Sequence, residues 1–340
     1  MKILVTGGLG FIGSHTVVEL QNKGYDVVVV DDLSNSSIDV LDGIQAISGK
    51  RPYFVELDLR DVAGVSKLFN HYNDITGVIH FAASKAVGES VEKPLLYYEN
   101  NLVPLLNILK QLDQKEKSHF IFSSSCTVYG QAKVMPITEQ APIQVALSPY
   151  GNTKQIGEEI ISDVARVSSV NAILLRYFNP IGAHQSGLIG ELPNGVPQNL
   201  IPFITQTAIG LRKELSVFGD DYDTFDGTCV RDYIHVVDLA KAHVAALGRL
   251  ISGDNKQKVE TFNVGTGKGS SVLEIINVFE EVSNQKLPYK IVGRREGDIT
   301  EAYACTKKAN EVLGWKAELS LEEALNSAWK WEKKIRNTEF

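Results

Sequence analysis

Lys2-Ile3-Leu4-Val5-Thr6-Gly7-Gly8-Leu9-Gly10-Phe11-Ile12-Gly13 opens the chain, a short apolar, β-branched run followed by glycines at every third position and then a helical pattern through Gly24. The order is strand, tight glycine turn, helix. Gly7 permits the turn, Gly10 lets the backbone approach a pyrophosphate at the helix N-terminus, and Gly13 allows the helix to pack closely on the strand. A second strand, Tyr25 to Val30, ends at Asp31, 18 residues beyond Gly13 and close to the spacing at which an acid takes adenine ribose hydroxyls. No Arg or Lys lies between Asp31 and Gly49, so nothing nearby invites a 2′-phosphate, and NAD is expected in preference to NADP.

Strand and helix signals keep alternating through the first half. Pro52 to Val55 reads as a strand, Asp58-Leu59-Arg60-Asp61 leads into a helix, and Gly77 to Phe81 reads as a buried strand. Pro94 to Leu112 reads as a long helix, His119 to Ser123 as a strand, and Ala172 to Arg176 as a sixth strand. Such alternation predicts an α/β fold with a doubly wound parallel sheet and its ligand at the strand C-termini. Phe81-Ala82-Ala83, Ser123-Ser124-Ser125 and Tyr177-Phe178-Asn179 fall just past three strand ends. Beyond Asn179 glycine- and proline-punctuated loops predict a smaller substrate lobe. The expected division is 1–178 plus about 232–265 for the dinucleotide, and about 179–231 plus 266–340 for the substrate. Ser320 with Glu323 predicts a capped tail helix from Leu321 to about Ile335, its apolar stripe of Leu321, Leu325, Ala328 and Trp329 facing the core.

Composition narrows the class. The 340 residues carry a formal net charge of −7 with a pI of about 5.6, and no basic block, which argues against nucleic acid and anionic membrane as partners. Cys126, Cys229 and Cys305 are odd in number and scattered, arguing for a reducing compartment. No apolar leader precedes the first strand and no apolar run approaches the ~20 residues of a membrane span, so a cytoplasmic location is expected. With no His-x-x-x-His, paired-Cys or clustered-acid spacing, no metal is expected. His80 and His235 sit in apolar strand patterns and read as core histidines.

Tyr150 and Lys154 stand one helical turn apart, in a helix to about Val167 that Ser148-Pro149 opens as N-cap and first helical residue. A free phenol is only ~0.1% ionised at neutral pH, so a working base near pH 7 requires about 4 kcal/mol of help. A neighbouring ammonium, the positive helix end and a cationic ring would supply it.

With Gly7-x-x-Gly10-x-x-Gly13, Ser125, Tyr150 and Lys154 in this order, the chain resembles the extended short-chain dehydrogenase/reductase family, and most closely its epimerases of UDP-hexoses at C4. The resemblance spans essentially the whole chain. Its most specific stretches are Lys85-Ala86-Val87-Gly88-Glu89-Ser90 and Arg231-Asp232-Tyr233-Ile234-His235-Val236, with Arg294-Arg295-Glu296-Gly297-Asp298 beyond them. Departures are small: Cys126 where the family usually has Ala, Ala83 where Gly is common, and Asp32 where Asn is common.

The resemblance implies that Tyr150, Lys154 and Ser125 are catalytic. For NAD it implies Gly7, Gly10, Phe11, Ile12, Gly13, Asp31, Asn35, Ser36, Asp58, Leu59, Phe81, Ala82, Lys85, Asn100 and Tyr177, with Tyr150 and Lys154. For the UDP-sugar it implies Asn179, Asn199, Leu200, Phe218, Arg231, Tyr233, Arg294 and Asp298, with Ser125. It also implies a homodimer through the Pro94 and Tyr150 helices. Related 4,6-dehydratases carry an Asp-Glu pair before Val-Tyr-Gly, where this chain has Cys126-Thr127, and decarboxylating relatives need Glu at the second position. Transient oxidation and reduction at one carbon is what remains. A redox-sensing regulator on the same fold needs the glycine loop but not Ser125, Tyr150 and Lys154 together. In the family, the position five residues after the glycine of the Glu-Gly pair gates the sugar C2 substituent. Alignment puts Ala302 there, so N-acetylated UDP-hexoses are expected as substrates beside the plain ones. A register shift could bring Tyr303 into the same space.

Overall fold

The computed structural model describes residues 1–295 and 297–337. Seven strands form one parallel sheet: β1 (Lys2–Thr6), β2 (Asp26–Asp31), β3 (Tyr53–Glu56), β4 (Ile75–His80), β5 (Ser118–Ser125), β6 (Val170–Tyr177) and β7 (Val259–Val264). Their order is β7-β6-β5-β4-β1-β2-β3, reversing direction of growth at β1, as in a doubly wound fold. Ile3 and Val5 enter the core on one face, and Leu4 on the other; Val27 and Val29 are likewise separated from Val28 and Val30. Because both faces are covered, the strands read as continuous apolar runs. One face packs the Phe11–Asn22, Val40–Ser48 and Val236–Ser252 helices, and the other the Val62–His71, Pro94–Asp113 and Pro149–Val167 helices.

A third core joins the Leu200–Ala208, Val272–Ser283 and Leu321–Ile335 helices with the Leu215–Phe218 strand. Ser320 and Glu323 form the anticipated capping box, and Leu325, Ala328 and Trp329 are buried. Between the large sheet and this lobe run short pairings: Asn179–Ile181 with Tyr233–His235, and Val230–Arg231 between Ser270–Ser271 and Glu301–Ala302. The sixth-strand expectation holds, but β7 has no counterpart in the sequence reading. Its Glu260, Thr261 and Asn263 interrupt the apolar run. Glu260 is paired with Arg249 at 2.6 Å and 3.0 Å, and Asn263 accepts from the Tyr129 hydroxyl at 2.6 Å. Among the described residues no helix is long and apolar enough to cross a membrane.

Candidate active site

The glycine loop is a cradle that side chains would fill. Gly7 has φ +63°, and a Cβ there would lie 2.9 Å from Ala82 N; one on Gly13 would lie 2.2 Å from Gly7 O. Gly13 thus lets the helix close on the loop itself. A Cβ on Gly10 would meet only Gly7 O, at 3.2 Å, leaving the helix start open on its other side. The first-turn N–H groups of Phe11 and Ile12 lack intrahelical partners by position and can serve an anion. Asp31, at the end of β2, is buried: it accepts from Leu9 N at 3.0 Å, Leu33 N at 3.1 Å and Ser36 Oγ at 2.7 Å. Asn35 is exposed beside it.

The next strand ends complete a line of residues. Asp58 is held by the Arg60 guanidinium at 2.7 Å, which keeps its carboxyl below the usual range, and buried Leu59 accepts from Asn107 Nδ2 at 2.9 Å. Phe81 N donates to Thr6 O at 3.1 Å and Ala82 N to Thr6 Oγ1 at 3.3 Å. Asn100 donates to Ser84 Oγ at 3.0 Å. Its neighbour Asn101, which sequence reasoning passed over, grips both backbone polar groups of Ser84 and donates to Thr153 Oγ1 at 3.0 Å. It thereby ties the β4 loop to the Tyr150 helix.

Tyr150 and Lys154 project from the Pro149–Val167 helix, capped as anticipated by Ser148 Oγ, which accepts from Gly151 N at 3.1 Å. Both are buried. Ser125 pairs in register with Tyr177 at the ends of β5 and β6, and Tyr177 Oη accepts from Ser123 Oγ at 3.1 Å. Burial pushes the Tyr150 phenol well above its ordinary value and adjacent Tyr177 adds to this, while a hydrogen bond with Ser125 acts the other way. Burial also raises Tyr177 to about 12 and lowers Lys154 to about 8, with Glu158 one turn on opposing the latter shift. Lys154 Nζ donates to Ser123 O at 2.8 Å. Behind it Glu158 forms a buried ion pair with Arg176 at 2.5 Å and accepts from Ser124 Oγ at 2.5 Å. Nothing in the spacing of Glu158 and Arg176 signalled that pair. His80 and His235 are buried, with burial lowering them to about 3 and about 4. Both rings are neutral parts of the core.

The second half of the site lies in the smaller lobe. Arg231 Nη2 is 3.6 Å from Asp298 Oδ1, and Arg295 reaches the same oxygen at 2.7 Å while lying 5.6 Å from the Phe218 ring centre. Arg294 is engaged by Asp221 Oδ1 at 2.7 Å and stacks 4.1 Å from the Tyr222 ring. Of the two guanidiniums, Arg295 rather than Arg294 joins Phe218, Arg231 and Asp298; adjacent Glu296 lies outside the described residues. Tyr233 is raised to about 12 by burial, opposed by Arg231. Asn179 lies in the strand beside Tyr233. Asn199 is the N-cap of the helix that Leu200 begins, and its side chain binds Glu191 Oε1 at 2.7 Å. Ala302 pairs with Arg231 and packs with Val128, Tyr129 and Phe178. Tyr303 lies against Gly269 instead, where a Cβ would approach its Cδ1 at 3.2 Å. Among the described residues there is no group of three or more His, Cys, Asp or Glu placed to hold a metal.

A parallel doubly wound sheet, a glycine cradle at a helix start and a buried Tyr-Lys pair beside a strand-end Ser define a dinucleotide-dependent enzyme of the extended short-chain dehydrogenase/reductase type. The family described as GDP-mannose 4,6 dehydratase matches residues 4–328. The UDP-glucose 4-epimerase of Haemophilus influenzae is 50% identical over 98% of this chain and 98% of its own length. The UDP-glucose 4-epimerase of Stenotrophomonas maltophila, solved with bound NAD and formylated UDP-arabinopyranose, superposes with a TM-score of 0.95 at 46% identity, covering 99% of each chain. That of Bifidobacterium longum, in complex with NAD+ and UDP, gives 0.93 at 49% identity, again over 99% of each. The chain belongs to the extended short-chain dehydrogenase/reductase family and, within it, to the UDP-glucose 4-epimerase family.

Proposed function

We propose that the chain interconverts UDP-glucose and UDP-galactose by transient oxidation at the sugar C4, with NAD as resident cofactor. The observation that carries this reading is the convergence of Ser125, Tyr150 and Lys154 at the C-terminal end of β5, the same end of the parallel sheet that carries the glycine cradle. The cradle fits a dinucleotide: Gly7 and Gly13 admit no side chain, the face beside Gly10 is open, and the Asp31 carboxylate is fixed against Leu9. Gly7, Gly10, Phe11, Ile12, Gly13, Asp31, Asn35, Ser36, Asp58, Leu59, Phe81, Ala82, Lys85, Asn100 and Tyr177 would hold NAD. When bound, NAD accepts the C4 hydrogen with its electron pair and later returns it.

Tyr150 Oη takes the proton of the C4 hydroxyl and gives it back, and Ser125 Oγ hydrogen-bonds the same oxygen. The buried phenol needs positive charge nearby to ionise, so Lys154, fixed on Ser123 O, has a direct part in setting its basicity. Asn179, Asn199, Leu200, Phe218, Arg231, Tyr233 and Asp298 anchor the UDP, and beside them Arg295 takes the place expected for Arg294, whose guanidinium is engaged by Asp221. The loosely held 4-keto sugar then turns about its pyrophosphate and is reduced on its opposite face. Ala302, buried in the cluster of Val128, Tyr129 and Phe178, is a small residue where a phenol would add bulk, and its size extends the reading to UDP-N-acetylglucosamine and UDP-N-acetylgalactosamine.

The NAD lobe of this reading is 1–178 with about 232–265, and the UDP-sugar lobe about 179–231 with 266–340. A homodimer through the Pro94–Asp113 and Pro149–Val167 helices is part of it, supported by exposed Leu95, Leu106 and Val167 along them. A cytoplasmic location accords with three free cysteines. Purified chain incubated with UDP-galactose and no added NAD tests the activity: UDP-glucose should accumulate, and no product with NAD present in the protein would contradict the reading.

A further inference from the structure

Glu191 lies in the loop between the Asn179–Ile181 strand and the Leu200–Ala208 helix. Its backbone is fixed from behind. Trp331 Nε1 donates to Glu191 O at 2.9 Å, and Gly190 sits so close to the Trp331 ring that a Cβ would meet Cγ at 2.5 Å. The Glu191 side chain, 12% exposed, offers one oxygen to two donors: Lys85 Nζ at 2.8 Å and Asn199 Nδ2 at 2.7 Å. Lys85 belongs to the loop after β4, with its ammonium 5.8 Å from the centre of the Phe11 ring at the start of the glycine-loop helix. Asn199 caps the helix of the other lobe. One carboxylate oxygen therefore spans from a lysine of the dinucleotide side to an amide of the UDP side.

A carboxylate beside two sites for polyanions repels both ligands unless it is committed to their donors. Here it is committed, through a charge-assisted bond to Lys85 and a second bond to Asn199. Two donors that share one anchored acceptor do not settle independently, since a displacement of the carboxylate by one changes the hydrogen bond of the other.

We propose that Glu191 is a positioning residue that couples the NAD and UDP sites by holding Lys85 and Asn199 on a single oxygen. The inference rests on the proposed function, in which both ligands bind this chain. Fixing either donor at its ligand steadies Glu191 and thereby presents the other donor, so binding is cooperative, and by linkage the cooperativity is reciprocal. The cofactor is thus held most firmly while nucleotide sugar is bound.

The test is the rate of NAD release from the full-length chain, with and without saturating UDP. In the unaltered protein UDP should slow release by at least about 5-fold, the lower end of ordinary coupling between sites. Glu191→Ala should bring the ratio to about 1, and Glu191→Gln, which keeps a neutral acceptor oxygen, should recover part of it. Lys85→Met and Asn199→Ala should interact in a double-mutant cycle on the same ratio, and that interaction should shrink in the Glu191→Gln background, which decides the matter even where Glu191→Ala yields no folded protein. An unchanged ratio in Glu191→Ala or Glu191→Gln, or a ratio of 1 in the unaltered protein with both ligands bound, would overturn the proposal. A chain that binds neither NAD nor UDP would instead sink the proposed function on which it rests.

Discussion

Lys154 Nζ lies 5.8 Å from the centre of the Tyr150 ring and is fixed by Ser123 O at 2.8 Å, so the ammonium is aimed at the strand end that also carries Ser125. Burial drives the two groups toward their neutral forms, the phenol upward and the ammonium down to about 8. A site with this opposition works as a proton exchanger only when additional positive charge reaches it.

Tyr150→Phe removes the phenol oxygen and almost no volume. Turnover of UDP-galactose should fall about 10²–10⁴-fold, the usual contribution of a positioned acid-base group. NAD retention and UDP affinity should persist. Steady-state rates with a parallel UDP-binding titration check this, and wild-type turnover would mean that another group is the base.

Lys154→Met separates activity from stability. Without the ammonium, the pH at which the rate rises should shift upward. Stability should go the other way: with a folded-state value of about 8 against an unfolded value near 10.4, burial of the charge costs about 3 kcal/mol below pH 8. Between about pH 8 and 10.5 the unfolded state binds more protons, so this cost fades as pH rises through that window. The variant should therefore be more stable than the parent at pH 7, offset by the lost bond to Ser123 O, and the gap should narrow toward pH 10. Urea unfolding at the two pH values measures it; a gap that widens with pH contradicts the assignment.

Arg176→Met would leave Glu158 buried without its partner. A loss of about 3–5 kcal/mol is expected, as for other broken buried pairs. Adding Glu158→Met should recover part of it, because both charges are then gone. Denaturant midpoints of the single and double variants decide whether the pair is coupled, and a neutral single variant would show that it is not.

Much of this was legible in the sequence. Gly7, Gly10, Gly13 and Asp31 form a local pattern, and Ser148-Pro149 announces the Tyr150 helix, because turns and caps are fixed by neighbours in the chain. Strands β1 to β6 read as apolar runs since both faces of the sheet are covered. Strand β7 did not, because Glu260 and Asn263 are satisfied by Arg249 and Tyr129 from distant segments. Glu191, Asn101 and the Glu158–Arg176 pair were hidden for the same reason: their partners lie 106, 52 and 18 residues away. Arg295, beside Arg294, could be told apart from it only by the positions of Asp298 and Asp221.

Ala302→Tyr tests the sugar pocket. Ala302 faces the cluster of Val128, Tyr129 and Phe178, while Tyr303 packs on Gly269. A phenol at 302 should fill the space an acetamido group needs, abolishing activity on UDP-N-acetylgalactosamine and leaving the UDP-galactose reaction largely unchanged. Rates on both substrates for parent and variant check it. No activity of the parent on the N-acetylated sugar would refute dual specificity.

The fate of the hydrogen on C4 tests the central claim most directly. UDP-galactose carrying deuterium at C4, converted in ordinary water by the chain without added cofactor, should yield UDP-glucose that keeps the deuterium at C4, because the hydrogen leaves and returns without meeting solvent. Product that has exchanged its C4 deuterium for solvent hydrogen would contradict transient oxidation and point to simple deprotonation at carbon.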